Sequence, residues 1–467
     1  MRVGTTVVTA GCAALMIALL AGCPNREVSR VDPGQQKESE NLIPVELNRD
    51  VDILFVIDNS GSMSEEQASL TANFARFINV LQTIEGGLPN IHMGVISTDM
   101  GAGPFNIQGC SGNGDNGTLQ SSPRGACTPP TGSFIIDTAN PDGTRTTNYP
   151  ANELAETFSC IARLGTMGCG FEQPLQAVRK ALDGSNPANQ GFLRENAFLA
   201  VIIITDEDDC STENSNMFDT SQTSIDSELG PLSSYRCFEF GVRCEPDSRT
   251  QVAPRQNCEQ RADSPYMFPV TSDDPNTQDF VDFMRSLKPQ DPSLIITAGI
   301  IGNPTPVAVT TATNGNPELE PSCVSASGEA APGVRLKTFF DQFPNRNTIT
   351  TICNEDLTDA LVQVADLLIE VIGNPCLSGD IKVDDNGDPI CTVVDRTRPN
   401  TDSEVQTPIA HCANNDPGAG PTPCWYTQPN PEDCNKPEHV LGDEIQVERG
   451  GQSVPTNTSV EVRCELN

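Results

Sequence analysis

Ile53-Leu54-Phe55-Val56-Ile57-Asp58-Asn59-Ser60-Gly61-Ser62 is the stretch on which the fold turns. Its five apolar residues show no alternation between a wet and a dry face, as expected of a parallel strand covered on both sides. The run stops at a carboxylate, followed by two hydroxyls with a glycine between them. Ser64-Glu65-Glu66-Gln67 then has the form of a helix-capping box. Leu70, Phe74, Phe77, Ile78 and Leu81 fall on one helical face after it. Strand, polar turn and helix in that order open an α/β sheet.

Similar apolar runs lie at 93–96, 198–204 and 294–301, with a weaker one at 348–352. Helical patterns separate them. Residues 171–182 put Leu175, Val178 and Leu182 in register. Residues 355–372 carry a stripe of Leu357, Ala360, Leu361, Val364, Leu368 and Val371, with Gly373 and Pro375 as the stop. The alternation predicts a doubly wound, mostly parallel α/β sheet over 50–373. Two long polar stretches, 100–158 and 207–275, interrupt it and read as disulfide-stapled insertions. From 374 to 467 the periodicity fades, six cysteines appear, and short β-like pieces at 445–447 and 460–462 suggest a small β-rich module. Asp385-Asn386-Gly387-Asp388 within it reads as a hairpin turn, because the bidentate Glu of a calcium loop is missing.

The turn after the first strand carries chemistry. Asp58 brings a charge to the strand's carboxyl end, where open α/β sheets bind ligands. Ser60 and Ser62 offer neutral oxygens, and Gly61 lets the backbone bend between them. Oxygen donors around an open position suit a hard cation, Mg²⁺ above all, with Mn²⁺ or Ca²⁺ as alternatives. This block resembles the first block of the von Willebrand factor type A family and its metal-ion-dependent adhesion site. The resemblance covers about residues 50–373 and implies two further loops, one giving Thr and one giving Asp. The matching segments are Leu164-Gly165-Thr166, and Thr205-Asp206 after the 198–204 run. The implied metal site is therefore Asp58, Ser60, Ser62, Thr166 and Asp206. The chain departs from the family in its large insertions and in Glu207, Asp208 and Asp209, which follow Asp206 where a Gly is common. That acidic run reads as a solvated loop.

The ends and the composition bound the setting. Arg2, an apolar stretch over 7–20 and Leu20-Ala21-Gly22-Cys23 resemble the signal and lipobox of bacterial lipoproteins. Residues 1–22 are then a signal peptide, Cys23 takes the lipid, and 23–49 form a polar tether. Of 18 Cys, Cys12 leaves with the signal and Cys23 is lipidated, leaving an even 16 that suggest disulfides in an exported chain. With three His and no Cys-x-x-Cys pair, neither a structural zinc site nor a thioredoxin-like site is expected. The formal charge of −35 argues against nucleic acid and against electrostatic docking to anionic lipid. The lipid would be the only membrane contact, placing the chain in the cell envelope on its periplasmic or outer face.

These features point to binding. A cation at the five-residue site would take a carboxylate from a protein partner, for adhesion or for assembly of an envelope complex. A structural lipoprotein merely steadied by its metal is the alternative. A hydrolase is the third reading, but Ser60 lacks a Gly-x-Ser-x-Gly setting, and His92, at a strand start, reads as structural. No catalytic residue is assigned. Gly112-Asn113-Gly114-Asp115-Asn116-Gly117 matches a dinucleotide-binding pattern, but follows no strand and opens no helix, so it reads as a flexible loop.

Overall fold

The computed structural model describes residues 38–44, 50–83, 87–124, 126–140, 144–289, 292–325, 328–354, 356–372, 381–384, 387–397, 404–429, 443–450 and 458–465. The expected signal peptide at 1–22 and the lipidation site Cys23 lie outside them. No helix among the described residues is long and apolar enough to cross a membrane.

The central sheet has seven strands: β1 (Asp50–Ile57), β2 (Asn90–Ser97), β3 (Ile135–Ala139), β4 (Arg145–Thr147), β5 (Phe198–Thr205), β6 (Ile295–Ile301) and β7 (Asn347–Thr351). Their order across the sheet is β7-β6-β5-β1-β2-β3-β4. The sheet is mixed, parallel over most of its width with an antiparallel edge. The strands from β7 to β2 run parallel, while β3 and β4 are antiparallel and close one edge. Both come from the 100–158 stretch, which returns from a long excursion to pair β3 with β2 and then reverses within a few residues into β4, with no helical crossover between them.

Among the described residues, seven α-helices accompany the strands: α1 (Ser64–Leu81), α2 (Leu154–Ala162), α3 (Pro174–Leu182), α4 (Tyr235–Gly241), α5 (Phe280–Ser286), α6 (Val334–Phe340) and α7 (Thr358–Ile372). Successive side chains of a strand point to opposite faces, and β1 shows the result. Ile53, Phe55 and Ile57 enter one core with Phe74 and Phe77 of α1, Phe158 of α2 and Leu361 of α7. Leu54 and Val56 enter a second with Val178 of α3, Phe283 of α5 and Phe340 of α6. Gly299 in β6 has no side chain because Phe340 presses on that strand, and an added Cβ would meet its ring at 2.4 Å.

Disulfides staple the excursions. Cys110–Cys169 and Cys127–Cys160 tie the first, and Cys210–Cys237 and Cys244–Cys258 the second. A third excursion, residues 302–333, was not anticipated. Its strands Val307–Thr311 and Pro317–Leu319 join Val242–Glu245 and Ala253–Gln260 of the second in a separate four-stranded sheet, and Cys323–Cys353 closes it. Beyond α7, five strands within residues 391–465 form most of a six-stranded sheet with Trp425, Val393 and Val462 in its core and two disulfides among the described residues. The expected tether is corrected in part: Glu38–Pro44 is a strand, paired antiparallel with Thr458–Glu465 on the edge of that sheet. The turn around Gly387 closes by Asp384 N–H donating to Asp388 O at 2.8 Å, with residues 385–386 outside the described set.

The acidic run after β5 is not a solvated loop. Asp208 accepts the Arg335 and Leu336 amides at 2.9 and 3.1 Å, which caps α6. Asp209 and Arg335 are both fully buried and pair at 2.9 Å. Asp209 also accepts the Leu175 amide at the start of α3, at 3.2 Å. These carboxylates bind helices together, where the local composition suggested only solvation. Removing one partner of a buried pair leaves an uncompensated charge, so Arg335→Met is expected to lower unfolding stability by about 3–5 kcal/mol. Adding Asp209→Asn removes that charge and keeps an acceptor for Leu175, so the double variant recovers part of the loss in urea melts.

Candidate metal centre

The register of the sheet builds the site. Ile57 of β1 lies opposite Ile204 of β5, so the residues that follow both strands emerge side by side. The chain passes from β1 to β2 on one flank and returns later to β5 on the other. The carboxyl ends of β1 and β5 therefore border the crevice where strand order reverses, the usual ligand position of such sheets. Asp58, fully buried, donates its amide to Ile204 O at 3.0 Å. Its Oδ2 accepts the Thr205 hydroxyl at 2.6 Å and its Oδ1 accepts the Ser60 amide at 2.7 Å. Ser60 and Ser62 Oγ lie 3.1 Å apart. Ser60 is buried and Ser62 is exposed. Gly61 has open space where a Cβ would be.

The Thr166 loop is brought to the same turn. Gln67 of α1 donates Nε2 to Asp58 O at 2.8 Å and to Gly165 O at 2.9 Å, and its Oε1 accepts the Gly165 amide at 3.0 Å. Gly168 N–H donates to Asn59 O at 2.9 Å, and a Cβ there would stand 2.1 Å from Asn59 Oδ1. Half-buried Thr166 thus sits between two residues anchored to the Asp58–Ser62 turn. Gln67, part of the predicted capping box, is the clamp that sequence reading did not recognise. Cys169 and Cys210 lead from the Thr166 and Asp206 loops into one small core with Phe171, Met217 and Phe218, and the Cys210 amide donates to Glu172 O at 2.7 Å.

Asp206 faces Asp58. The Asp58 carboxyl and the Ser62 hydroxyl both lie near enough to shift the Asp206 carboxyl. Burial, with the Asp58 charge beside it, pushes the Asp206 carboxyl up to about 7, and burial raises Asp58 as well. Two carboxylates this close hold a proton between them unless a cation takes its place. Asp206 Oδ1 is buried with no hydrogen-bond partner among the described residues, as is Asn59 Oδ1. An orphaned carboxylate oxygen next to a second carboxylate and two hydroxyls is a donor set that fits a hard divalent cation. Asp58, Ser60 and Ser62 are joined by direct contacts, Asp206 stands beside them, and Thr166 is brought alongside by its loop.

Other carboxylates surround the pair. Glu172, fully buried just ahead of α3, accepts the Thr98 hydroxyl on one oxygen and leaves Oε1 unpartnered among the described residues. Burial and then the Asp58 charge hold it well above the usual carboxylate range. Glu207 is raised in the same way by burial, Asp58 and Asp206. Glu172 was missed because nothing in Gly170-Phe171-Glu172-Gln173-Pro174 marks it as buried. Among the described residues, no three His, Cys, Asp or Glu side chains gather as a metal cage. Glu172 and Glu207 stand beside a mixed carboxylate–hydroxyl set as groups that burial disposes to hold their protons.

His92 lies at the start of β2, far along the strand from the site, with Nδ1 2.9 Å from Phe192 O. The Gly112–Gly117 segment is folded rather than flexible. Asp115 N–H donates to Asp99 O at 3.0 Å, and Gln120 N–H to Val95 O at 2.7 Å.

No family model matches the chain. No curated protein matches it either. Among solved structures, the pilus adhesin RrgA of Streptococcus pneumoniae overlaps 94% of this chain and 60% of its own, at 13% identity and TM-score 0.30. A von Willebrand factor type A protein of Catenulispora acidiphila overlaps 92% of this chain and 66% of its own, at 10% identity and TM-score 0.26. The manganese-loaded TRAP protein of Plasmodium vivax overlaps 79% of this chain and 96% of its own, at 10% identity and TM-score 0.27. The chain spans less than two thirds of the first two of these. Likenesses this faint transfer neither a fold nor a function to it.

Proposed function

We propose that this chain is a lipid-anchored cell-envelope protein whose 50–373 region is a von Willebrand factor A-type domain. It binds a protein partner through a divalent cation, Mg²⁺ first, held by Asp58, Ser60, Ser62, Thr166 and Asp206. The observation that carries this reading is the orphaned, buried Asp206 oxygen against Asp58 at the switch crevice. The cation supplies the positive charge that lets a partner's carboxylate approach an acidic protein. The chain's own residues orient and desolvate the site. Thr205 and the Ser60 amide fix the Asp58 carboxylate, Gln67 locks the Thr166 loop to it, and Asp206 closes the opposite side. Binding is favoured over hydrolysis because Ser60 pairs with Ser62 and no histidine stands near it among the described residues. The lipid anchor rests on the Leu20–Cys23 signal, and the disulfides fit an oxidising compartment.

A Mg²⁺ titration followed by thermal unfolding tests the site. At a hundredfold excess over Kd the ion should stabilise the folded chain by about 2.7 kcal/mol. Asp206→Ala should remove that gain while the variant still unfolds cooperatively. In cells, cross-links to the partner should disappear with EDTA, and cross-links that persist unchanged in EDTA would sink the reading.

The raised carboxyls set a pH signature. Asp206 at about 7, against a reference of 3.8, means the metal-free folded state holds a proton more tightly than the unfolded chain. That contribution is fully present below the unfolded value and is lost as pH rises through the folded one. Asp208, raised to about 6, and Glu172 and Glu207 act in the same direction. Melting temperatures of the metal-free protein should therefore fall between about pH 5 and pH 8, and the stabilisation by Mg²⁺ should grow over that interval.

Because Cys110–Cys169 pins the Thr166 loop, the variant Cys110→Ser/Cys169→Ser should lose Mg²⁺ affinity. Cys391→Ser/Cys464→Ser, which opens the C-terminal sheet instead, should leave that affinity within about twofold of the parent, measured by calorimetry.

A further inference from the structure

A cleft of about 360 Å³ opens directly onto the candidate metal centre, with Ser62 and Asp206 in its wall. Its other side is built by the second and third excursions, which meet there. Leu232, Phe238 and Leu319, all partly buried, give it an apolar lining. Its charged lining is of one sign. Glu207, Glu318 and Glu329 stand on it together with Asp206 and Asp208, and no Lys, Arg or His lines it among the described residues. Glu318 and Glu329 are exposed. Ser233 Oγ, also on the wall, is buried without a partner among the described residues.

Resting on the cation reading above, we propose that this cleft selects the partner. The occupant is a protein segment that presents one carboxylate to the ion, an apolar side chain to the Leu232–Phe238–Leu319 wall, and a Lys or Arg to Glu318 and Glu329. The argument is one of charge. A divalent ion is neutralised by Asp58 and Asp206, so the incoming carboxylate adds a net negative charge beside a cleft that is already acidic. A segment with neutral or acidic flanks meets that field uncompensated. A basic side chain near the carboxylate removes the repulsion and gains attraction at the exposed rim. The apolar lining gives the intervening residue a place to lose its water. Selection then has an attractive part at the rim and a repulsive part against acidic sequences.

Fluorescence polarisation with the full mature chain and three labelled peptides tests this: Gly-Lys-Leu-Asp-Leu-Lys-Gly, Gly-Glu-Leu-Asp-Leu-Glu-Gly, and the first with Asn in place of Asp. In saturating Mg²⁺ the Lys-flanked peptide should bind at least about tenfold more tightly than the Glu-flanked one. EDTA, or the Asn replacement, should abolish that binding. Glu318→Lys/Glu329→Lys alters only exposed side chains and should erase or reverse the preference. Equal binding of the two Asp peptides, dependent on the ion, overturns the cleft proposal and leaves the cation reading standing. Lys-flanked binding that survives EDTA and the Asn replacement is mere attraction of opposite charges and also overturns it. If no peptide binds, the cleft proposal fails, and the Mg²⁺ melting shift decides whether the cation reading fails with it.

Discussion

The pairing of β1 with β5 is the constraint on which the site depends. Parallel strands in register deliver their next residues to the same edge, so Asp58 and Asp206 meet although they lie far apart in sequence. Both are then taken out of water, which disfavours their charged forms. The fold can relieve this with hydrogen bonds, with a shared proton or with a cation. Thr205 and the Ser60 amide supply the first for Asp58, while one oxygen of Asp206 is left over. The tension at this edge is thus a product of topology, and it gives the acidic pair a use.

The same logic separates two kinds of carboxylate in one short run. Asp206 and Glu207 line the cleft without capping a helix, Asp208 lines it while capping α6, and Asp209 turns back into the protein to pair with Arg335. The Asp206 carbonyl also accepts the Ala331 amide at 2.8 Å. The loop that carries the candidate ligand is therefore continuous with the joint that holds α6. A change in its outer half is felt by buried groups in its inner half, because the interior is packed tightly.

Much of this could be read from residue order and some could not. The 53–57 run, the amphipathic face of α1 and the Asp58–Ser62 turn announce themselves, because strand, glycine turn and helix are local patterns. Asp206 was marked by the family resemblance, which asks for an Asp just after an apolar strand such as 198–204. Arg335 was invisible as the partner of Asp209, since 126 residues separate them and nothing local marks either as buried. Glu172 escaped for the same reason. The antiparallel edge, the 302–333 excursion and the Glu38–Pro44 strand went unrecognised because short, polar strands owe their form to what they pair with. Composition describes a segment, whereas burial belongs to its neighbours.

The covalent links at Cys169 and Cys210 carry a consequence for the timing of assembly. Both loops that approach the Asp58 turn run into a core that holds two disulfides, Cys110–Cys169 and Cys210–Cys237. Before those bonds form, Gln67 and the Gly168 amide hold the Thr166 loop by hydrogen bonds alone. Reduction of the two bonds would therefore loosen the Thr166 and Asp206 loops beside the Asp58 turn. Order at the Asp58 turn is thereby tied to the oxidation state of the chain's surroundings.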